Sequence, residues 1–174
     1  MDNMHKILKS VYGYDDFRPG QEKLISHILS GRDVLGIMPT GAGKSLCFQI
    51  PALLFPGLTI VISPLISLMQ DQVQTLKKRG IRAETITSAM TRGEKAALLS
   101  EIRRQYTESN SLRYGSYAGN RRCRLLYVSP ERLLSAEFCA FAKVDFKICN
   151  STSSKALRRR SFILDIGRKI LSSI

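Results

Sequence analysis

A lysine and a serine behind a short run of small residues form the segment of this 174-residue chain best equipped for chemistry. The segment reads Met38-Pro39-Thr40-Gly41-Ala42-Gly43-Lys44-Ser45. Glycines let a backbone curl until several N–H groups point inward, and such a nest suits a phosphate. A helix beginning at Lys44 would add the positive end of its dipole. Lys44 would place a point charge on the β- and γ-phosphates, and the Ser45 hydroxyl would be offered to Mg²⁺. The plainer reading is a glycine turn before a helix with a stray lysine. The order strand, glycine loop, Gly-Lys-Ser, helix argues against it. Met38 stands where the general phosphate-loop pattern has glycine, so this is a variant of that pattern. Lys44 is the candidate catalytic residue; Thr40, Gly41, Ala42, Gly43, Lys44 and Ser45 are candidate nucleotide contacts, and Ser45 is the candidate metal ligand.

Two further segments pair a serine with a proline just after an apolar run: Ser63-Pro64-Leu65, continuing to Gln70-Asp71-Gln72, and Ser129-Pro130-Glu131-Arg132. A serine cap followed by proline at the first helical position explains both without any ligand. N–H groups at helix starts, together with Arg132, are equally suited to hold the phosphates of a nucleic-acid strand. Thr87–Arg92 is a weaker candidate for the same surface.

Presenting these residues together requires alternating helices and strands, and the apolar pattern supplies them. Helices are predicted over 5–12 and, opened by Pro19 and closed by Gly31, over 21–29. A buried strand is predicted at Val34–Met38, a helix at 44–54, and a β-branched strand at Leu58–Ile62. A helix from Pro64 to about Lys78, a strand at 83–87 and a charged helix at 92–104 follow. The polar stretch 106–122 reads as a long exposed loop. A strand at 124–128, short helices at 131–134 and 136–142, and the start of a fifth strand at 144–148 complete the pattern. Strands alternating with helices of this length imply parallel βαβ units in an α/β sandwich. Ligands of such sheets bind beyond the carboxyl ends of the strands, where all the segments above lie.

The net charge of +13 and a pI near 10.0 favour a polyanionic partner, nucleic acid first. The surplus is uneven, because residues 146–174 carry +6 and the rest +7. None of Cys47, Cys123, Cys139 and Cys149 forms a Cys-x-x-Cys pair, so no zinc site is expected; they read as reduced thiols of a cytoplasmic or nuclear protein. No apolar run approaches the ~20 residues that span a bilayer, so no membrane partner is expected.

Four ordered segments carry a resemblance. They are Tyr14-Asp15-Asp16-Phe17-Arg18-Pro19-Gly20-Gln21, the phosphate loop extended by Leu46-Cys47-Phe48-Gln49-Ile50-Pro51-Ala52-Leu53, Ile62–Val73, and Leu126–Leu133. Over roughly residues 5–148 the chain resembles the first RecA-like domain of the RecQ family of superfamily 2 DNA helicases. The resemblance implies a RecA-like P-loop sandwich of three layers with a mainly parallel sheet, incomplete at its C-terminal end. It implies an ATP-dependent DNA helicase, unwinding 3′ to 5′, with ATP and Mg²⁺ as cofactors. Its DNA partner would be single-stranded or a partly unwound duplex. Gln21 would read the adenine edge, Tyr14 would stack on the base, and Arg18 would support the pocket. Tyr14 is otherwise an ordinary surface tyrosine. Ser63, Pro64, Gln70, Ser129 and Arg132 would line the path of single-stranded DNA.

The resemblance also predicts an Asp-Glu-x-His segment after the next strand, to hold Mg²⁺ and position water. The only adjacent acidic pair in the chain is Asp15-Asp16, ahead of the loop. From Cys149 the sequence no longer resembles the family. A natural truncation or a shifted reading frame is the expectation for 149–174, and a basic amphipathic helix for 158–174. Phe162-Ile163-Leu164-Asp165 is the rival reading, an apolar run ending in the missing aspartate, with no glutamate behind it. The chain is thus expected to bind ATP and single-stranded DNA while neither hydrolysing ATP nor unwinding DNA alone. A non-catalytic module binding nucleotide or nucleic acid is the alternative.

Overall fold

A computed structural model describes residues 2–107, 122–133, 135–141 and 162–164. The expected fifth strand at 144–148 and most of the loop at 106–122 lie outside them.

Helix α1 (Asn3–Ile7) runs on into a π-helical turn at Leu8–Tyr12, which Gly13 closes in the left-handed region. Helices α2 (Gln21–Leu29) and α3 (Lys44–Leu54) have the predicted bounds. Then come strand β1 (Thr59–Ile62), helix α4 (Ile66–Lys78), strand β2 (Ala83–Ile86) and helix α5 (Arg92–Thr107). Strand β3 (Leu125–Val128), helix α6 (Pro130–Leu133) and strand β4 (Phe162–Leu164) complete the order. Residues 136–141 are also helical.

The sheet order is β2-β3-β1-β4, and every pairing is parallel. Ile86, Val128, Ile62 and Leu164 share one level across it. Alternation along the strands divides the core. Val61, Ala83, Leu125 and Tyr127 face a cluster with Ile7, Leu8, Ile25, Phe48, Ile50, Met69 and Leu76 from α1 to α4. Ile60, Ile62, Ile86, Leu126 and Val128 face a second cluster with Leu99, Ile102, Phe138 and Phe141. Helices on both faces of a parallel sheet explain why β1 and β3 are buried at all four positions. The arrangement is the three-layer α/β sandwich expected of a RecA-like domain.

Three expectations need correction. Val34–Met38 is not a strand. A strand needs a neighbour to take its N–H and C=O groups, and among the described residues none of the sheet pairings includes this segment. Val34 and Met38 are half-buried and a Cβ at Gly36 would touch Leu24 of α2, while Leu35 and Ile37 are each 85% exposed. Ser63 does not cap α4 either. The helix starts at Ile66, Leu65 takes the cap position, and the buried Ser63 hydroxyl only accepts a long 3.5 Å bond from the Leu65 N–H. Finally, the helix expected from residue 158 is interrupted at 162–164, which pair with Ile60–Ile62 as a strand. The backbone groups along β1 take this segment as a parallel neighbour, which holds it extended rather than helical there.

Candidate nucleotide and nucleic-acid site

The glycine loop is clasped from the N-terminal side. Gly41 and Gly43 hold φ of 81° and 78°, the left-handed region that lets the loop curl back before α3. The Gln21 side chain, only 1% exposed, lies under that curl. Its Nε2 donates to Ala42 O at 3.1 Å and Gly43 O at 3.0 Å, and its Oε1 accepts from Arg18 N–H at 2.9 Å. Carbonyls can only accept, so the amide orientation is fixed by its partners. The Arg18 guanidinium donates to Gly41 O. Two side chains of one segment therefore hold three consecutive loop carbonyls. Those carbonyls are turned toward the protein.

No side chain caps the start of α3, where Gly43 occupies the cap position. Its first N–H groups have no side-chain acceptor, as at the starts of α1, α2 and α4; what suits this start to an anion is the glycine curl before it and Lys44 beside it. Lys44 is exposed, and its Nζ donates to Met38 O at 3.2 Å across the mouth of the loop. That contact is one a triphosphate can replace with charge-assisted bonds. Ser45 is half-buried in the first helical turn, and Thr40 is exposed. Among the described residues no group of three or more His, Cys, Asp or Glu could hold a metal. A magnesium ion at Ser45 would share its remaining ligands with phosphate oxygens and water, as small hard cations do. The Cys47 thiol, one turn on, is pushed up by burial.

The predicted residues fall into two groups. Arg18, Gln21 and Gly41–Ser45 come together. Tyr14 precedes them with its ring 49% exposed. The Gln21 amide bonds Ala42 O, Gly43 O and the Arg18 N–H, so it acts as a strut under the phosphate loop. Gln21's burial follows from its place as the first residue of α2, directly against the loop.

The second group lies along the carboxyl edge of the sheet. Ser63 N–H donates to Val128 O at 3.1 Å, which sets Ser63 beside Ser129. Thr87 follows β2 at the same level, since Ile86 pairs with Val128. Ser129 precedes α6, and its carbonyl accepts from Arg132 N–H at 3.0 Å. A bond from Glu131's own N–H and another from the Ser129 side chain hold the Glu131 carboxylate below its ordinary range. Pro64 and Gln70 are exposed, and Arg132 is half-buried. Strand β4 ends at this edge too; Asp165, the residue after it, lies outside the described residues. The sequence reading missed Gln49, Tyr12 and the box formed by Thr91 and Glu94. Their signals were a glutamine inside the apolar run Leu46–Leu54 and a threonine three residues ahead of a glutamate.

No helix among the described residues is long and apolar enough to cross a membrane. Residues 18–149 match the family model of the DEAD/DEAH box helicases. The chain is 46% identical over 143 residues to the ATP-dependent DNA helicase RecQ of Haemophilus influenzae, covering 80% of this chain and 20% of that protein. It is 45% identical over 133 residues to the RecQ helicase of Bacillus subtilis, covering 76% and 20%. It is 41% identical over 147 residues to the ATP-dependent DNA helicase Q-like 5 of Arabidopsis thaliana, covering 84% and 14%. The chain thus spans a fifth or less of the length of these curated relatives. A match over most of its residues, together with these relatives, shows that the chain belongs to the DEAD/DEAH box helicase family, on its RecQ side.

Proposed function

We propose that this chain is the nucleotide-binding first lobe of an ATP-dependent DNA helicase motor. One observation carries the reading: a glycine loop held in shape by Arg18 and Gln21, in front of a helix start that no side chain caps. ATP would lay its β- and γ-phosphates in the curl, with Lys44 leaving Met38 O for them and Ser45 turning to Mg²⁺. Tyr14 and Arg18 would flank the base, and Gln21 would reach the adenine edge only by giving up a loop carbonyl. Single-stranded DNA would cross the carboxyl edge of the sheet, over Ser63, Pro64 and Gln70 and past Ser129 and Arg132, in line with a surplus of positive charge. The nucleotide-binding domain would comprise residues 1–148, joined at the edge of β1 by the strand 162–164.

Two readings differ in turnover. The only adjacent acidic pair precedes the loop, which favours a module that binds without hydrolysing. Equilibrium titration with a fluorescent ATP analogue and Mg²⁺ tests the shared part. Lys44→Ala removes a charged partner worth about 1.5–3 kcal/mol and should weaken binding by roughly ten- to a hundredfold. Unchanged affinity in the folded variant would sink the proposal. ATP turnover with and without single-stranded DNA then separates the readings. Background rates are expected; DNA-stimulated turnover would show that another acid supplies the missing function.

A further inference from the structure

Beyond the nucleotide contacts, a row of polar side chains crosses the helical layer where only packing is needed. Gln49, 4% exposed, sits among Phe48, Ile50 and Leu53 on the buried part of α3. Its Oε1 accepts from the Tyr12 hydroxyl at 3.0 Å, and its Nε2 donates to Gln72 Oε1 of α4 at 2.8 Å. The Arg79 guanidinium, just past the end of α4, lies 5.2 Å from the centre of the Tyr12 ring. Burial pushes the Tyr12 hydroxyl well above its ordinary range, so at neutral pH it is protonated and donates.

A leucine would satisfy the packing around Gln49. An amide there instead costs desolvation unless both its ends are met, and here both are. What it joins is informative. Gln49 lies about 7–8 Å along the helix that starts at Lys44, and Gln72 about 9 Å along the helix that starts beside Ser63-Pro64-Leu65. Apolar contacts let two helices slide with little loss, but a hydrogen bond at 2.8 Å fixes their register. A small displacement of α3 as phosphates draw on its first turn would be carried to α4, and from there to the edge of β1.

We propose that Gln49 is a positioning residue that couples the phosphate loop to the nucleic-acid edge through Gln72. The proposal rests on the reading of this chain as a binder of ATP and single-stranded DNA. Tyr12 belongs to the anchor of Gln49 and not to the link itself.

The test measures affinity for a labelled oligothymidylate by anisotropy, with and without a non-hydrolysable ATP analogue plus Mg²⁺. Wild type should show a change of roughly fivefold or more between the two states. Gln49→Leu and Gln72→Leu should reduce that ratio to near one while each ligand alone still binds. Gln72 is half-buried, so Gln72→Leu disturbs the core less and serves as the test should Gln49→Leu fail to fold. Tyr12→Phe also takes one bond from Gln49 but spares the link, so it should keep the wild-type ratio. A merely structural role would make Tyr12→Phe and Gln72→Leu behave alike, and that result overturns the proposal. So does a folded Gln72→Leu with the full ratio, or a wild type that binds both ligands with no ratio at all. If wild type binds neither ligand, the functional reading falls and the proposal falls with it.

Discussion

Gly43 is where one atom decides most. A Cβ built there would lie 2.5 Å from Gln21 Nε2, and its φ of 78° is one that L side chains avoid. Gly43→Ala therefore pushes away the amide that holds the loop and adds backbone strain of about 1–2 kcal/mol. Nucleotide affinity should fall about tenfold or more, measured by the same titration, while the far-ultraviolet circular dichroism stays that of the parent. A variant binding as tightly as the parent would show that the clasp is unimportant. At this scale the sequence was informative about identity and silent about partners. Lys44, Ser45 and the glycines were found because phosphate chemistry demands them in that order. That Gln21 would meet Ala42 and Gly43 carbonyls could not be read, because those contacts span more than twenty residues and depend on how α2 meets the loop.

Capping decides the character of α5. Thr91 Oγ1 accepts from Glu94 N–H at 3.2 Å, and a Glu94 carboxylate oxygen accepts from Thr91 N–H at 2.6 Å, a reciprocal box. The bonds from Thr91 hold Glu94 below the usual carboxylate range. A lowered folded pKa means stability that is present above the unfolded value and lost as pH falls through the folded one. Melting of wild type from pH 7 down to pH 3 should therefore lose this contribution in the acid limb. Thr91→Ala should cost about 1 kcal/mol at neutral pH, and flatten that limb. Identical acid limbs in the two proteins would refute the assignment. Helices α2 and α3 were readable to the residue because Pro19 and Gly31 bracket the first and the glycine loop ends just before the second. Strands β1 and β3 were readable from their β-branched and apolar runs. Val34–Met38 is also an apolar run and is no strand, since a strand is a relation between two segments and its partner is not written in its own letters.

For the molecule as a whole, the exposed pair Leu35 and Ile37 is the main liability. Apolar side chains on an unpaired segment invite association with another chain. Leu35→Lys with Ile37→Lys should lower light scattering at high protein concentration. It should leave nucleotide affinity within about twofold, since both side chains are largely exposed and take no part in the clasp of Arg18 and Gln21. Scattering that does not change would place the sticky surface elsewhere, with Leu65 and Ile66 next in line. The parallel sheet with helices on both faces was foreseeable from the alternation of elements; at 162–164 an apolar run competed with a basic helix, and its place beside β1 could not be read because three residues are too few to fix a pairing. The clasp of Arg18 and Gln21 has one more consequence. The curl of the phosphate loop is set as the chain folds, so its ordering entropy is lost before any ligand arrives. Affinity and local stability are then two readings of one contact. On warming, loosening of α2 would empty the site while the sheet is still intact, so that binding fails at a lower temperature than the fold.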